Sequence, residues 1–233
     1  MTKRMILPLI FGISGIAVLL WLGFWQMERL NWKRDIIASI EDRRFGEPAP
    51  LLDNYKTATP DTHNYLRVAF EGKVTGNEAH VYAPQKSGLG YRIVSEFKWN
   101  SEALFVDLGW VPEGQKNVQR PTGPMKITGY ISFPDDHDES FTPEPDIANN
   151  IWFSRLVSPM AQHFNITPFL VVAESAQIQQ GDAWVNYTAV MASPISLNIK
   201  NDHKEYAITW FSLALVWFGM TGYLLWRIRQ KTV

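Results

Sequence analysis

The apolar positions of this chain gather in two uninterrupted runs, and between them the pattern changes from continuous to alternating. Met5 to Trp25 holds twenty-one residues without a charge, and Tyr206 to Trp226 holds another twenty-one. A helix rising 1.5 Å per residue needs about 20 residues to cross a hydrocarbon core about 30 Å thick. Both runs meet that length, and no third one does. After the first run the pattern stays helical: Trp21, Trp25, Glu28 and Trp32 fall on one face, and charges alternate from Glu28 to Arg44. The helix is expected to continue beyond the bilayer until Gly46, Pro48 and Pro50 end it. Interfacial anchoring explains Trp21 and Trp25 as well as a binding role does.

The middle reads as β. Leu66–Val74 and Met125–Phe133 alternate apolar with polar, and Ala79–Ala83 and Tyr91–Trp99 look like further strands. Leu104–Val111 and Phe169–Ala173 are continuous apolar runs, as expected of strands covered on both faces. Ser158-Pro159 predicts a short helix over Ser158–Phe164, with Ser158 as the N-cap. The fold class expected is a membrane protein, two transmembrane helices flanking a β-rich α+β extracytoplasmic domain. That domain should be a compact antiparallel sheet or open barrel. The boundaries expected are 5–27 for the first transmembrane helix, 28–45 for a juxtamembrane helix, 46–202 for the domain and 203–227 for the second transmembrane helix.

Composition sharpens this picture. A mean hydropathy of -0.14 conceals the two runs. A net charge of -1 conceals an acidic middle, ten Lys/Arg against seventeen Asp/Glu over 46–199. Nucleic acid is excluded as a partner by that balance. Basic residues lie beside the runs: Lys3 and Arg4 before the first, Arg227, Arg229 and Lys231 after the second. By the positive-inside rule both termini are expected to face the cytoplasm and the domain to lie outside; the localisation expected is a bacterial inner membrane with a periplasmic domain. Arg29, Lys33 and Arg34 oppose this, offset in part by Glu28 and Asp35. The first run is longer than a signal-peptide core and lacks a small-residue cleavage site, so it reads as an anchor. Six acids over 135–146 form either a solvated loop or a docking loop for a basic partner.

The absence of cysteine excludes disulfides, thiolate metal sites and haem attached through Cys-x-x-Cys-His. No nucleophile elbow, dinucleotide fingerprint or paired-histidine ligand spacing appears, so no catalytic residue is assigned and the chain is not expected to be an enzyme. Asp107, in an apolar strand, is expected to be hydrogen-bonded to a neighbouring turn. His203 stands at the lip of the second run, with Tyr206, Ala207, Trp210, Leu213 and Trp217 following at helical spacing. An ionisable group there is a functional candidate, and imidazole is an axial ligand of haem iron. The competing reading is a first-turn residue reaching back to water.

Specific stretches then resemble a known family. Leu22-Gly23-Phe24-Trp25-Gln26-Met27-Glu28-Arg29-Leu30-Asn31-Trp32-Lys33, Gly90-Tyr91-Arg92, Val106-Asp107-Leu108-Gly109-Trp110-Val111-Pro112, Asn150-Ile151-Trp152-Phe153 and Asn201-Asp202-His203 with Tyr206-Ala207 and Thr209-Trp210-Phe211 resemble, in order, the motifs of the surfeit locus protein 1 family. Two positions depart from it: Asp202 stands where the family has a second Asn, and Leu156 follows Arg155 where it usually has Asp. The resemblance implies an assembly factor for the catalytic subunit of cytochrome c oxidase that acts as a chaperone in respiratory chain biogenesis and binds haem A. It implies His203 as ligand of the haem iron, with Tyr206, Trp210 and Trp25 around the cofactor. Arg29, Lys33, Lys200 and Lys204 would neutralise the propionates. The partners implied are that catalytic subunit, the haem A synthesis machinery and the lipid bilayer. The alternative is a haem-free scaffold that clamps the nascent subunit.

Overall fold

A computed structural model describes residues 3–51, 55–192 and 201–230. The chain divides into two compact units, Ile40–Ser196 and the pair Met1–Ser39 with Leu197–Val233. The elements in order are α1 (Lys3–Phe45), β1 (Ala49–Pro50), α2 (Pro60–His63), β2 (Arg67–Tyr82), β3 (Gly90–Trp99), β4 (Glu102–Pro112), β5 (Gly123–Ser132), β6 (Ile151–Trp152), α3 (Val157–Phe164), β7 (Leu170–Gln180), β8 (Ala183–Asn186) and α4 (His203–Gln230). α1 and α4 are both long and apolar enough to cross a membrane.

In the middle unit β2, β3, β4, β7 and β5 pair in that order, and β5 pairs back to β2, so the sheet closes into a barrel. All pairings around the ring are antiparallel except β4–β7. The ring begins as a Greek key, with β5 returning to lie beside β2. The expectation is a compact antiparallel sheet or open barrel; the barrel is closed, and its β4–β7 pair is parallel. Closure and the parallel pair depend on long-range partners that no local pattern specifies.

β2 is one strand of sixteen residues, where the sequence suggested two. Its first half pairs with β5 and its second half with β3. The change of partner falls at Thr75-Gly76-Asn77, an irregularity in which Gly76 takes φ +93°. Such a bulge bends a strand and helps a small barrel close. Thr75-Gly76-Asn77 are the bend itself.

Val68, Phe70, Val74, Phe97, Leu104, Val106, Leu108, Met125, Ile127, Ile131 and Val171 form the main core. Phe105, on the opposite face of β4, packs with Val81, Val94, Trp152 and Met160. β4 is thus covered on both faces, by the main core on one and by α3 with β6 on the other. α3 starts at Val157 after Leu156, which makes no side-chain cap, so Ser158 is not the N-cap expected. It ends at Asn165 in the left-handed region, φ 55°, a conformation asparagine tolerates.

Candidate functional site

α1 and α4 meet along a stripe of small residues. A Cβ added to Gly12 would fall 2.2 Å from Thr221, to Gly15 2.4 Å from Trp217, and to Gly23 2.6 Å from Phe211. These contacts run in opposite directions along the two helices, so the pair is antiparallel. Ala207 and Ala214 of α4 are buried, as are Gly23, Gln26 and Leu30 of α1. Small residues let two helix backbones approach closely where flanking lipid supplies no hydrophobic drive for pairing. Phe11 packs on Trp217 and Phe24 on Phe211, with ring centroids 5.5 and 5.4 Å apart.

At one end of this seam His203 opens α4. The backbone N–H of Tyr206 donates to Asp202 O at 3.2 Å, so Asp202 supplies the first carbonyl of the helix. His203 is half-buried, and its Nδ1 lies 2.7 Å from Gln26 Oε1. An amide oxygen only accepts, so Nδ1 donates in this pair, and in the neutral ring Nε2 is then the nitrogen with a free lone pair. Nε2 has no partner among the described residues.

The other candidates spread around this pair. Trp210 is half-buried on the face of α4 that includes His203 and Ala207, and its indole N–H has no partner among the described residues. Tyr206 is 55% exposed. Lys33 lies seven residues after Gln26, hence on the same face of α1, and is half-buried and engaged in a further interaction. Arg29 is exposed and stacks on Trp32, 3.7 Å from the ring centroid. Trp25 is 47% exposed, and among the described residues no contact joins it to His203. Lys204 is exposed, and Lys200 lies outside the described residues. Gln26 lies within the Leu22–Lys33 motif. Its signal in the sequence was a lone amide immediately after twenty-one uncharged residues.

The central motifs build the barrel. Asp107 is fully buried and accepts from Arg92 Nε at 2.5 Å; its partner sits on the adjacent strand rather than in the turn expected. Gly90 leaves room for the Trp110 ring, whose Nε1 donates to Ala83 O at 2.7 Å. Asn150, at φ 51°, donates to Glu78 O at 2.7 Å and accepts from Trp152 Nε1 at 3.2 Å. Arg155 Nε donates to Asp136 at 2.8 Å, which ties the acidic 135–146 segment to the start of α3. Asp146 is held below the usual carboxylate range, chiefly by its hydrogen bonds from Asn149.

A polar cleft of about 510 Å³ lies beside the bulge of β2. Glu78 there accepts from Arg120 and pairs with His80 Nε2 at 2.9 Å. Burial, with the Glu78 charge second, pushes Tyr187 up to about 12. Among the described residues no cluster of three His, Asp or Glu could hold a metal ion.

The SURF1 family model matches residues 13–215 of this chain. The chain belongs to the SURF1 family. That family is known in general for cytochrome oxidase assembly. A SURF1-like protein of Rickettsia prowazekii is 30% identical over 229 residues, which cover 92% of this chain and 87% of the relative. One of Rickettsia felis is 29% identical over 213 residues, 85% of this chain and 88% of the relative. Surfeit locus protein 1 of Xenopus tropicalis is 25% identical over 215 residues, 82% of this chain and 67% of the relative. The SURF1 match includes Gln26 and His203 together with every central motif described above.

Proposed function

We propose that this SURF1-family chain is a two-span membrane protein and non-enzymatic assembly factor that holds haem A on His203 and passes it to the catalytic subunit of a cytochrome oxidase. The observation that carries this reading is the His203–Gln26 pair. It engages Nδ1 and leaves Nε2 without a partner among the described residues, at the end of an apolar helix pair, where the neutral ring can offer Nε2 to iron.

The residues present fit such a cargo. Lys33, two turns beyond Gln26 on the same face of α1, and Lys204, next to His203 on α4, supply cations suited to carboxylates such as haem propionates. An apolar groove of about 580 Å³ opens between α1 and α4, lined by Phe11, Val18, Leu213, Trp217 and Met220. It starts about 15 Å along α4 from His203, at 1.5 Å per residue, and its walls suit an isoprenoid tail. The chain's own part is to present one nitrogen ligand, to neutralise two carboxylates and to keep the tail out of water. A single protein ligand suits release to an acceptor subunit.

The protein, expressed in a host that makes haem A and purified in mild detergent, should show a Soret band. His203→Ala should remove or strongly shift that band with the membrane level unchanged. His163→Ala should do neither, since His163 packs on Trp152 and Phe164 in the barrel unit. A His203→Ala protein with wild-type haem content would exclude His203 as the ligand. A wild type that carries no haem where haem A is plentiful would favour the haem-free scaffold.

A further inference from the structure

We infer that Gln26 is the positioning residue of the site: it holds the His203 imidazole in the Nδ1-protonated tautomer and aims Nε2 at the incoming metal. The inference rests on the haem-ligand reading of His203.

Gln26 is 9% exposed, one of the few buried polar side chains of the molecule. It sits one residue beyond the uncharged run of α1, where an unpaired amide is costly to bury. Its oxygen lies 2.7 Å from His203 Nδ1. Gly23, three residues earlier on the same face, lets α4 approach α1 closely, since any side chain there would meet Phe211. The close seam at Gly23 is therefore what brings the amide within reach of the ring.

The consequence is chemical. A free histidine side chain favours the other neutral tautomer, in which Nε2 carries the proton and cannot bind a metal. Histidine ligands are commonly fixed by an acceptor on the distal nitrogen, which also raises the basicity of the ligating one. Here a neutral amide takes that place. It orients the ring without adding charge, which suits a site that must release its cargo.

Two readouts test this. In protein labelled with ¹⁵N-histidine and free of haem, the His203 signals are those lost in His203→Ala. They should report Nδ1–H in the wild type, Nε2–H or a mixture in Gln26→Leu, and Nδ1–H again in Gln26→Glu. In a haemin titration followed at the Soret band, Gln26→Leu should bind about tenfold more weakly. Gln26→Glu should retain binding, and its haem should have a more negative reduction potential. Membrane level, unchanged in both variants, separates positioning from folding.

If the wild type binds haem through His203 and Gln26→Leu keeps both tautomer and affinity, the positioning role is overturned and the ligand role stands. If the wild type binds no haem, the ligand reading falls. The labelled spectra then decide the pairing by themselves: a tautomer lost in Gln26→Leu supports it, and one retained overturns it.

Discussion

Asp107 and Arg92 show what single residues contribute to this fold. A carboxylate with no exposed surface is tolerated because a guanidinium from the neighbouring strand meets it. Removing one partner of a buried pair strands the other charge, whereas replacing both by apolar groups is often close to neutral. Arg92→Leu should destabilise the barrel unit by about 3–5 kcal/mol. The double variant Arg92→Leu/Asp107→Leu should recover most of that. Thermal unfolding followed by near-ultraviolet circular dichroism measures both. A double variant as damaged as the single one would show that the pair is not coupled. That Asp107 is buried was legible in the sequence, from the apolar run around it. That Arg92 answers it was not, because the hairpin register, with its shift between Ile93 and Val94, sets which residues meet. The Gly90-Tyr91-Arg92 and Val106–Pro112 motifs, separate in sequence, are one structural feature here.

At the scale of elements, the sequence located the helices and most strands but not the faces on which they meet. Charge-free runs of twenty-one residues identify α1 and α4 without ambiguity. The aromatic stripe Trp21, Trp25 and Trp32 drew attention as a binding face, yet α4 packs on Gly12, Gly15, Gly23 and Gln26. Hydropathy does not distinguish these faces, since every side of such a helix is apolar. Close approach does, because it selects small residues. Gly23→Leu should therefore separate the helix pair near His203. It should lower the melting temperature of this unit in detergent and, if the proposed site is correct, weaken haem retention. Gly219→Leu and Gly222→Leu are controls, since nothing lies within 4 Å of a Cβ built at either position. Equal effects at Gly23 and Gly219 would show that the seam is not the contact that matters. The strands teach a related lesson. The apolar pattern, alternating or continuous, placed β3, β4 and β5 within a residue or two, but a bulge looks like a turn in sequence, so β2 read as two pieces.

At the scale of the whole molecule, charge and helix direction make one argument about topology. The antiparallel seam of α1 and α4 puts the first residues of α1 and the last residues of α4 at the same end of their unit. At that end lie Arg4, Arg227 and Arg229. At the other end Arg29, Lys33 and Arg34 compete with them, but Glu28 and Asp35 stand among these. The segment 46–199 carries seventeen acids against ten bases, and long loops cross a membrane largely regardless of charge. The orientation expected from these terms has both termini inside and the barrel outside. The absence of native cysteine permits a clean test. Phe141 is 85% exposed in the acidic segment, so Phe141→Cys should react in intact cells with a maleimide that cannot cross the membrane. A cysteine appended after Val233 should react only once the cells are opened. Replacing Lys3 and Arg4 with neutral residues removes the bias at one end and should lower the fraction of Phe141→Cys labelled from outside. Protection of Phe141→Cys in intact cells, with labelling of the appended cysteine, would reverse the orientation and place His203 on the cytoplasmic side.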